Sequence, residues 1–374
     1  MGSLRKSDEL KIFYPWIAGP PPAILYTMKY NTFPFMSKLF LEKGRTMKMD
    51  TSSKDAFLSW QIGARKRLRE LLALDSIPSV TPNPILIESI EIEVGIIREK
   101  WVLETAPSLF MPFYVLIPST ENENTPVYIT APGHLGGGKD ALVGIKDNPL
   151  VKEKIDFYGY DYALYLAHEG FVSIAFDPVG FGERREKGKE GEENILLSSC
   201  YEISHMAESL GLTLCGLMVH EIIALIDMLS YWKRWGEIRC LGFSGGGLQT
   251  LYASAIDERI NLSFVSGYYY GFYDSLLKLN SNCSCNYIPS LYLYFDIADI
   301  AALIAPRALI IQSGKDDHLA GERGIVNVLE PMKELKSVYS LFGKENRLYH
   351  QIVPGPHHFE KEGIFEIMEK VCID

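Results

Sequence analysis

From Pro126 onward, short apolar runs alternate with longer amphipathic stretches, and few folds accommodate such a chain. PVYITA, FVSIAF, IRCLGF, SFVSG, RALIIQS and RLYHQIV have the length and apolar character of buried strands. DYALYLAHEG, Leu214 to Trp235, Leu248 to Ala255, Ile325 to Phe342 and Lys361 to Val371 show helical spacing. Parallel strands need a crossover between them, and crossover helices cover the sheet on both faces. The alternation therefore predicts an α/β chain with a mostly parallel central sheet. Upstream the period changes to two. Ile85 to Val94 and Trp101 to Glu104 alternate, and Leu109 to Ile117 is strand-like, which predicts antiparallel opening strands.

Residues 1–80 read differently. Gly19-Pro20-Pro21-Pro22 and Phe33-Pro34-Phe35 interrupt any early helix. Lys54 to Leu74 then places Phe57, Trp60, Leu68, Leu71 and Leu72 near helical spacing, beside a basic face of Arg65, Lys66, Arg67 and Arg69. Pro78, Pro82 and Pro84 mark a boundary. The expected organisation is a helical N-terminal segment over 1–80, acting as a cap or in dimerisation, and one α/β domain over 81–374. The apolar pattern Phe33-Pro34-Phe35-Met36 with Leu39-Phe40-Leu41 requires cover, either from the larger domain or from a second chain in a homo-oligomer.

The chain has 37 Lys plus Arg against 47 Asp plus Glu, a net charge of −10. That balance argues against nucleic acid or an anionic membrane as partner, and leaves the basic helix face as a solvated surface. Glu221 and Asp227 interrupt the apolar window Leu214 to Trp232. Asp299 and Arg307 interrupt Ile297 to Ile311. Both windows read as buried elements rather than membrane spans. MGSLRKSDELKIFYPW lacks the apolar run and cleavage site of a secretory leader, and Lys6 breaks a myristoylation pattern, so a cytoplasmic location is expected. The cysteines Cys200, Cys215, Cys240, Cys283, Cys285 and Cys372 are not a disulfide framework in a chain this long. Cys283-Ser-Cys285 has one intervening residue, too few for the usual zinc pair. Reduced, mostly buried thiols and no metal are expected.

The motif that carries chemistry is Gly242-Phe243-Ser244-Gly245-Gly246, between the strand IRCLGF and the helical run LQTLYASA. A strand-to-helix turn flanked by glycines is what a nucleophile elbow requires. It lifts the serine hydroxyl above the C-terminal edge of the sheet, at a helix N-terminus whose N–H groups are free. The Gly245 N–H is then placed to bind an oxyanion. In this arrangement a carboxylate and then a histidine follow the serine along the chain. Asp316 and Asp317 follow the strand Ala308 to Ser313, and His357 and His358 lie in a loop before the last helix. His350 falls inside a strand and reads as structural. A second oxyanion donor is expected from Pro132-Gly133-His134-Leu135-Gly136-Gly137-Gly138, through the N–H of His134 or Leu135. This glycine-rich loop lacks the Gly-Lys-Ser/Thr ending of a phosphate loop.

With these residues the chain resembles the α/β-hydrolase superfamily, and within it the acetyl xylan esterases and dienelactone-hydrolase-related serine esterases. The resemblance covers roughly residues 85 to 374. It implies the α/β-hydrolase fold and an acid three residues after Gly314, hence Asp317. The family's Gly-x-His-x-Phe maps onto Gly355, His357 and Phe359. Asp177-Pro-Val-Gly-Phe-Gly-Glu-Arg184 is similar to a loop that shapes the family's pocket. The chain departs from the pattern where relatives usually have His-Gly and this chain has Pro132-Gly133, with His134 displaced by one.

The resemblance implies a serine ester hydrolase, acetyl esterase-like and without cofactor, in which Ser244, His357 and Asp317 form a triad and Gly245 and His134 or Leu135 bind the oxyanion. Gly133, Asp177, Tyr268 and Tyr269 are expected at the substrate, a small-molecule or carbohydrate ester. The same triad also serves C–C or amide cleavage, and a non-catalytic binding protein on this fold is the remaining alternative.

Overall fold

The computed structural model describes residues 30–372. The Gly19–Pro22 break and the residues read for a leader lie outside the described residues. Nine strands form one sheet: β1 (Ile85–Glu93), β2 (Ile96–Ala106), β3 (Leu109–Pro118), β4 (Val127–Ala131), β5 (Val172–Phe176), β6 (Ile238–Phe243), β7 (Ile260–Ser266), β8 (Ala308–Gly314) and β9 (Leu348–Val353). Their spatial order is β1-β2-β3-β5-β4-β6-β7-β8-β9. The first three pair antiparallel, β3 meets β5 antiparallel, and β4 to β9 run parallel. The opening meander and the parallel sheet are thus as the periodicities imply. β1 differs in one respect: it is the sheet edge, pairs only with β2 among the described residues, and leaves Ile85, Ile87 and Ile90 exposed, with only Ile92 half-buried against the second core.

The helices used below are α1 (Phe33–Lys43), α2 (Lys54–Leu71), α3 (Pro149–Tyr158), α4 (Tyr162–His168), α5 (Cys200–Ser209), α6 (Leu214–Trp232), α7 (Gly245–Ile256), α8 (Ile297–Ala302), α9 (Val326–Leu341) and α10 (Ile364–Cys372). Because strand side chains alternate, each parallel strand feeds two cores. Ile129, Ile174, Cys240, Leu309 and Ile311 face a core shared with α2, α6, α7, α8 and α9. Tyr128, Leu241, Phe264 and Ile310 face a second core under α3, α4 and α10. α6 is long and apolar enough to cross a membrane by length and composition. Here it packs in the first core, and the fully buried Glu221 is paired with Arg184.

The N-terminal segment splits into two behaviours. α2 is capped by Ser53, whose hydroxyl accepts the Ala56 N–H at 3.1 Å. It buries Phe57, Ala64 and Leu68, and its Gln61 amide donates to the Ala305 carbonyl at 2.8 Å. Three of the four residues of its basic face are engaged within the chain: Arg65 reaches the Ala255 and Leu303 carbonyls, Arg67 pairs with Glu70 and Arg69 with Asp75, while Lys66 is exposed. α1 is less covered. Phe40 packs on Tyr273 and Tyr292, but Phe35, Met36 and Leu41 stay exposed, so the cover expected for this stretch is only partial among the described residues.

Candidate active site

The C-terminal ends of β4, β6, β8 and β9 converge on one cleft, the position where open parallel sheets bind ligands. Ser244 leaves β6 and opens α7. Its φ of 58° and ψ of −119° lie where non-glycine residues are rare. The surroundings over-determine this strained geometry. The Ser244 N–H donates to the Ser266 carbonyl at 2.9 Å, and its own carbonyl accepts the Leu248 N–H at 3.0 Å. A Cβ at Gly246 would lie 1.9 Å from the Ala131 carbonyl oxygen, so α7 starts hard against β4.

His357 follows β9 and Asp317 follows β8. Their side chains meet, with His357 Nδ1 2.7 Å from Asp317 Oδ2. The other carboxylate oxygen of the buried Asp317 accepts the Leu319 N–H at 2.9 Å. A carboxylate on Nδ1 holds the proton there and leaves a lone pair on Nε2. Nε2 is buried and has no hydrogen-bond partner among the described residues. The imidazole packs on Phe243, the residue before Ser244, with ring centroids 4.6 Å apart. The two neighbouring candidates are excluded by direction: Asp316 is exposed, and His358 turns away to bond the Pro356 carbonyl at 2.8 Å. His350 bonds Ser313 Oγ at 3.2 Å, a structural contact.

The Gly245 N–H is the first of α7 and has no partner within the helix. His134 lies beside it: a Cβ on Gly245 would sit 3.6 Å from His134 N and 2.6 Å from His134 Nδ1. Tyr160 OH donates to the His134 carbonyl at 2.5 Å and fixes that peptide, and Leu135 adopts a left-handed φ of 59°. Gly133 sits beneath the elbow, where a Cβ would come within 2.6 Å of the Phe243 carbonyl oxygen and 3.1 Å of Ser244 Cβ. The cleft above has a volume of about 500 Å³ and is walled by Tyr158, Tyr160, Tyr268 and Tyr270, with Asn282 and Asn286 as polar groups.

Two residues expected at the substrate are elsewhere. Asp177 is fully buried beneath the cleft, not on its wall. Its oxygens accept the Lys139 N–H at 2.8 Å and the Glu183 N–H at 3.0 Å, and Lys139 Nζ lies 3.0 Å away. It ties two loops together. Burial lowers the Lys139 pKa, but Asp177, Asp140 and Glu183 raise it above the ordinary lysine value. Tyr269 is buried on the opposite side of the chain from its neighbours, near Asp296, Asp299 and Arg45, because successive residues after β7 alternate direction. Conversely, Tyr158, Tyr160 and His318 line the cleft without any motif to announce them. The His318 ring is 6.3 Å from that of His357.

The His134 side chain brought a further difference. Its Nε2 lies 3.5 Å from Cys200 Sγ and 3.7 Å from Cys285 Sγ. With Cys283 they form a group of four donor atoms, all within 4.8 Å of one another. Burial lowers the His134 pKa, but hydrogen bonds to Cys200 and Cys283 raise it to about 10. All six cysteines are free thiols in the structure, and three of them are not independent packing residues. The short Cys283-Ser-Cys285 spacing hid this, because the other two members come from distant parts of the chain, a loop and the start of α5.

Residues 38–213 match the Abhydrolase family, a stretch that holds the His134 and Asp177 loops but ends before Ser244. A Bacillus subtilis protein provisionally named a hydrolase, YtaP, is 26% identical over 292 residues, 74% of this chain and 88% of its own. A Bacteroides fragilis structure provisionally named an acetyl xylan esterase superposes with a TM-score of 0.72 at 19% identity, covering 90% of this chain and 84% of that one. A glucuronoyl esterase from Teredinibacter turnerae gives a TM-score of 0.61 at 14% identity, over 88% and 87% of the two chains. The chain has the α/β-hydrolase fold. Within this fold, the displaced His134 has its ring turned into the cysteine group, while its backbone stays beside the elbow.

Proposed function

We propose that this protein is a serine carboxylic ester hydrolase of the α/β-hydrolase superfamily, working through an acyl-enzyme. The observation that carries the reading is His357: Asp317 holds Nδ1 at 2.7 Å, and the buried Nε2 is unpaired beside the strained Ser244 turn. An unsatisfied buried nitrogen costs about 1–3 kcal/mol, so it is retained for a proton it receives from elsewhere. Ser244 Oγ attacks the acyl carbonyl while Nε2 takes its proton. The imidazolium, stabilised by Asp317, returns that proton to the leaving alcohol. The Gly245 N–H and the N–H of His134 or Leu135 bind the oxyanion. Water then repeats the sequence and frees the acid.

The ester class is supported by the esterase names carried by the structural relatives. The tyrosine-walled cleft suits a small-molecule or carbohydrate ester with a short acyl group. Replacing Ser244 by Ala is expected to lower hydrolysis of p-nitrophenyl acetate by about 10⁴- to 10⁶-fold and to abolish labelling by a fluorophosphonate. Undiminished turnover in that variant sinks the proposal.

A further inference from the structure

We propose that His134, Cys200, Cys283 and Cys285 bind one zinc ion, as a structural Cys₃His site that pins the wall of the cleft. The four donors come from three separate places: the loop after β4, the first residue of α5, and the turn Ser284–Asn286 after β7 together with Cys283 just before it. Tetrahedral zinc, with Zn–S near 2.3 Å and Zn–N near 2.0–2.1 Å, sets N···S edges of about 3.6 Å. The observed edges from His134 Nε2 are 3.5 and 3.7 Å. Two of the three edges that involve the histidine therefore already have the length the ion requires, and the remaining donor, Cys283, lies within 4.8 Å of the others.

The surroundings also fit. Asn286 Nδ2 donates to the Cys283 carbonyl at 3.0 Å and contacts Cys285 Sγ at 3.6 Å, the kind of outer hydrogen bond that orients a thiolate ligand. Cys200 is buried as the first residue of α5, facing His134. Phe181 packs on the His134 ring, with centroids 4.9 Å apart, and helps fix its direction. A disulfide would use two of the three sulfurs and give the histidine no role. Binding replaces three thiol protons, which go to the buffer, and leaves a site of net charge −1. With four protein ligands there is no open position for substrate, so the ion acts as a staple rather than as a Lewis acid. The staple joins the 177–214 insertion, the post-β7 loop and the loop carrying His134. Only its consequence for the oxyanion donor rests on the esterase reading.

The test measures metal directly. Untagged protein, purified without chelator, is expected to carry close to one zinc per chain by mass spectrometry of the metals. Cobalt exchange is expected to give the intense visible bands and thiolate charge-transfer bands of a tetrahedral site. Cys285→Ser and Cys200→Ser should lose both the metal and these bands. The Ser244→Ala variant should keep them, which separates this proposal from the esterase reading. Wild-type protein that carries no metal, and fails to take up submicromolar zinc after reduction, overturns the site without reference to any variant. A metal-free chain with a disulfide among these thiols overturns it equally.

Discussion

His357 Nδ1 and Asp317 Oδ2 are 2.7 Å apart although 40 residues separate them, and the carboxylate is also anchored by the Leu319 N–H. Under the proposed mechanism, Asp317→Asn keeps the shape and the Leu319 bond but no longer stabilises the imidazolium or enforces the tautomer. We expect kcat/KM for p-nitrophenyl acetate to fall about 10⁴-fold with an unchanged circular dichroism spectrum. A loss below tenfold would show that His357 does not depend on this carboxylate.

Asp177 is expected to act on stability rather than on substrate affinity. A Cβ at Gly182 would lie 2.1 Å from Asp177 Oδ1, and Gly182 has a φ of 51°. Glycine is therefore needed there both for space and for conformation. Asp177→Ala removes the acceptor of two backbone N–H groups and one arm of the Lys139 network. Urea titration is expected to show a loss of about 3–5 kcal/mol. Gly182→Ala should destabilise in the same direction. Full stability combined with a raised KM would instead return Asp177 to the substrate.

His350 gives the pH dependence. Burial, and then the charge of Lys336, lower its pKa from 6.5 to about 4. The unfolded chain therefore binds this proton first as pH falls, and stability drops between about pH 6.5 and 4. The full shift is worth roughly 3 kcal/mol, and the partly exposed ring reduces that to about 1–2. Glutamine keeps a polar group facing Ser313 and does not titrate. Thermal melts of wild type and His350→Gln should converge at low pH relative to their difference at pH 7. A difference that does not change across this range would contradict the assignment.

Much of this was legible in residue patterns, for identifiable reasons. The strands are short apolar runs because both faces are buried, and a period of two exposes β1 to β3 as antiparallel. The elbow was legible because its glycines are local to Ser244. Asp317 and His357 follow from the ends of β8 and β9. What stayed hidden depends on direction or on distant neighbours. Nothing local distinguishes Tyr268, which faces the cleft, from Tyr269, which faces Asp299. The cysteine group assembles from positions 134, 200, 283 and 285, so no spacing rule within one loop could find it.

Arg45 ties the connection between α1 and α2 to α8 and α9. Its Nε donates to Asp299 Oδ2 at 2.6 Å and its Nη1 to Glu334 Oε1 at 3.1 Å. Burial lowers its pKa, but the bonds to Asp299 and Glu334 raise it overall. Asp299 is fully buried and also accepts the Met49 and Asp296 N–H groups. Arg45→Met leaves that carboxylate without its cation, while the methionine keeps most of the packing volume. The expected loss is about 2–4 kcal/mol, below a fully buried pair because Arg45 is partly exposed. Lys38→Ala, which breaks only the exposed pair with Glu42, should stay within about 0.5 kcal/mol. Adding Asp299→Asn to Arg45→Met should recover part of the loss, since the uncompensated charge is then gone while the amide oxygen still accepts a backbone N–H. A double variant no more stable than Arg45→Met would place the cost in the packing of the 43–49 connection rather than in the buried charge.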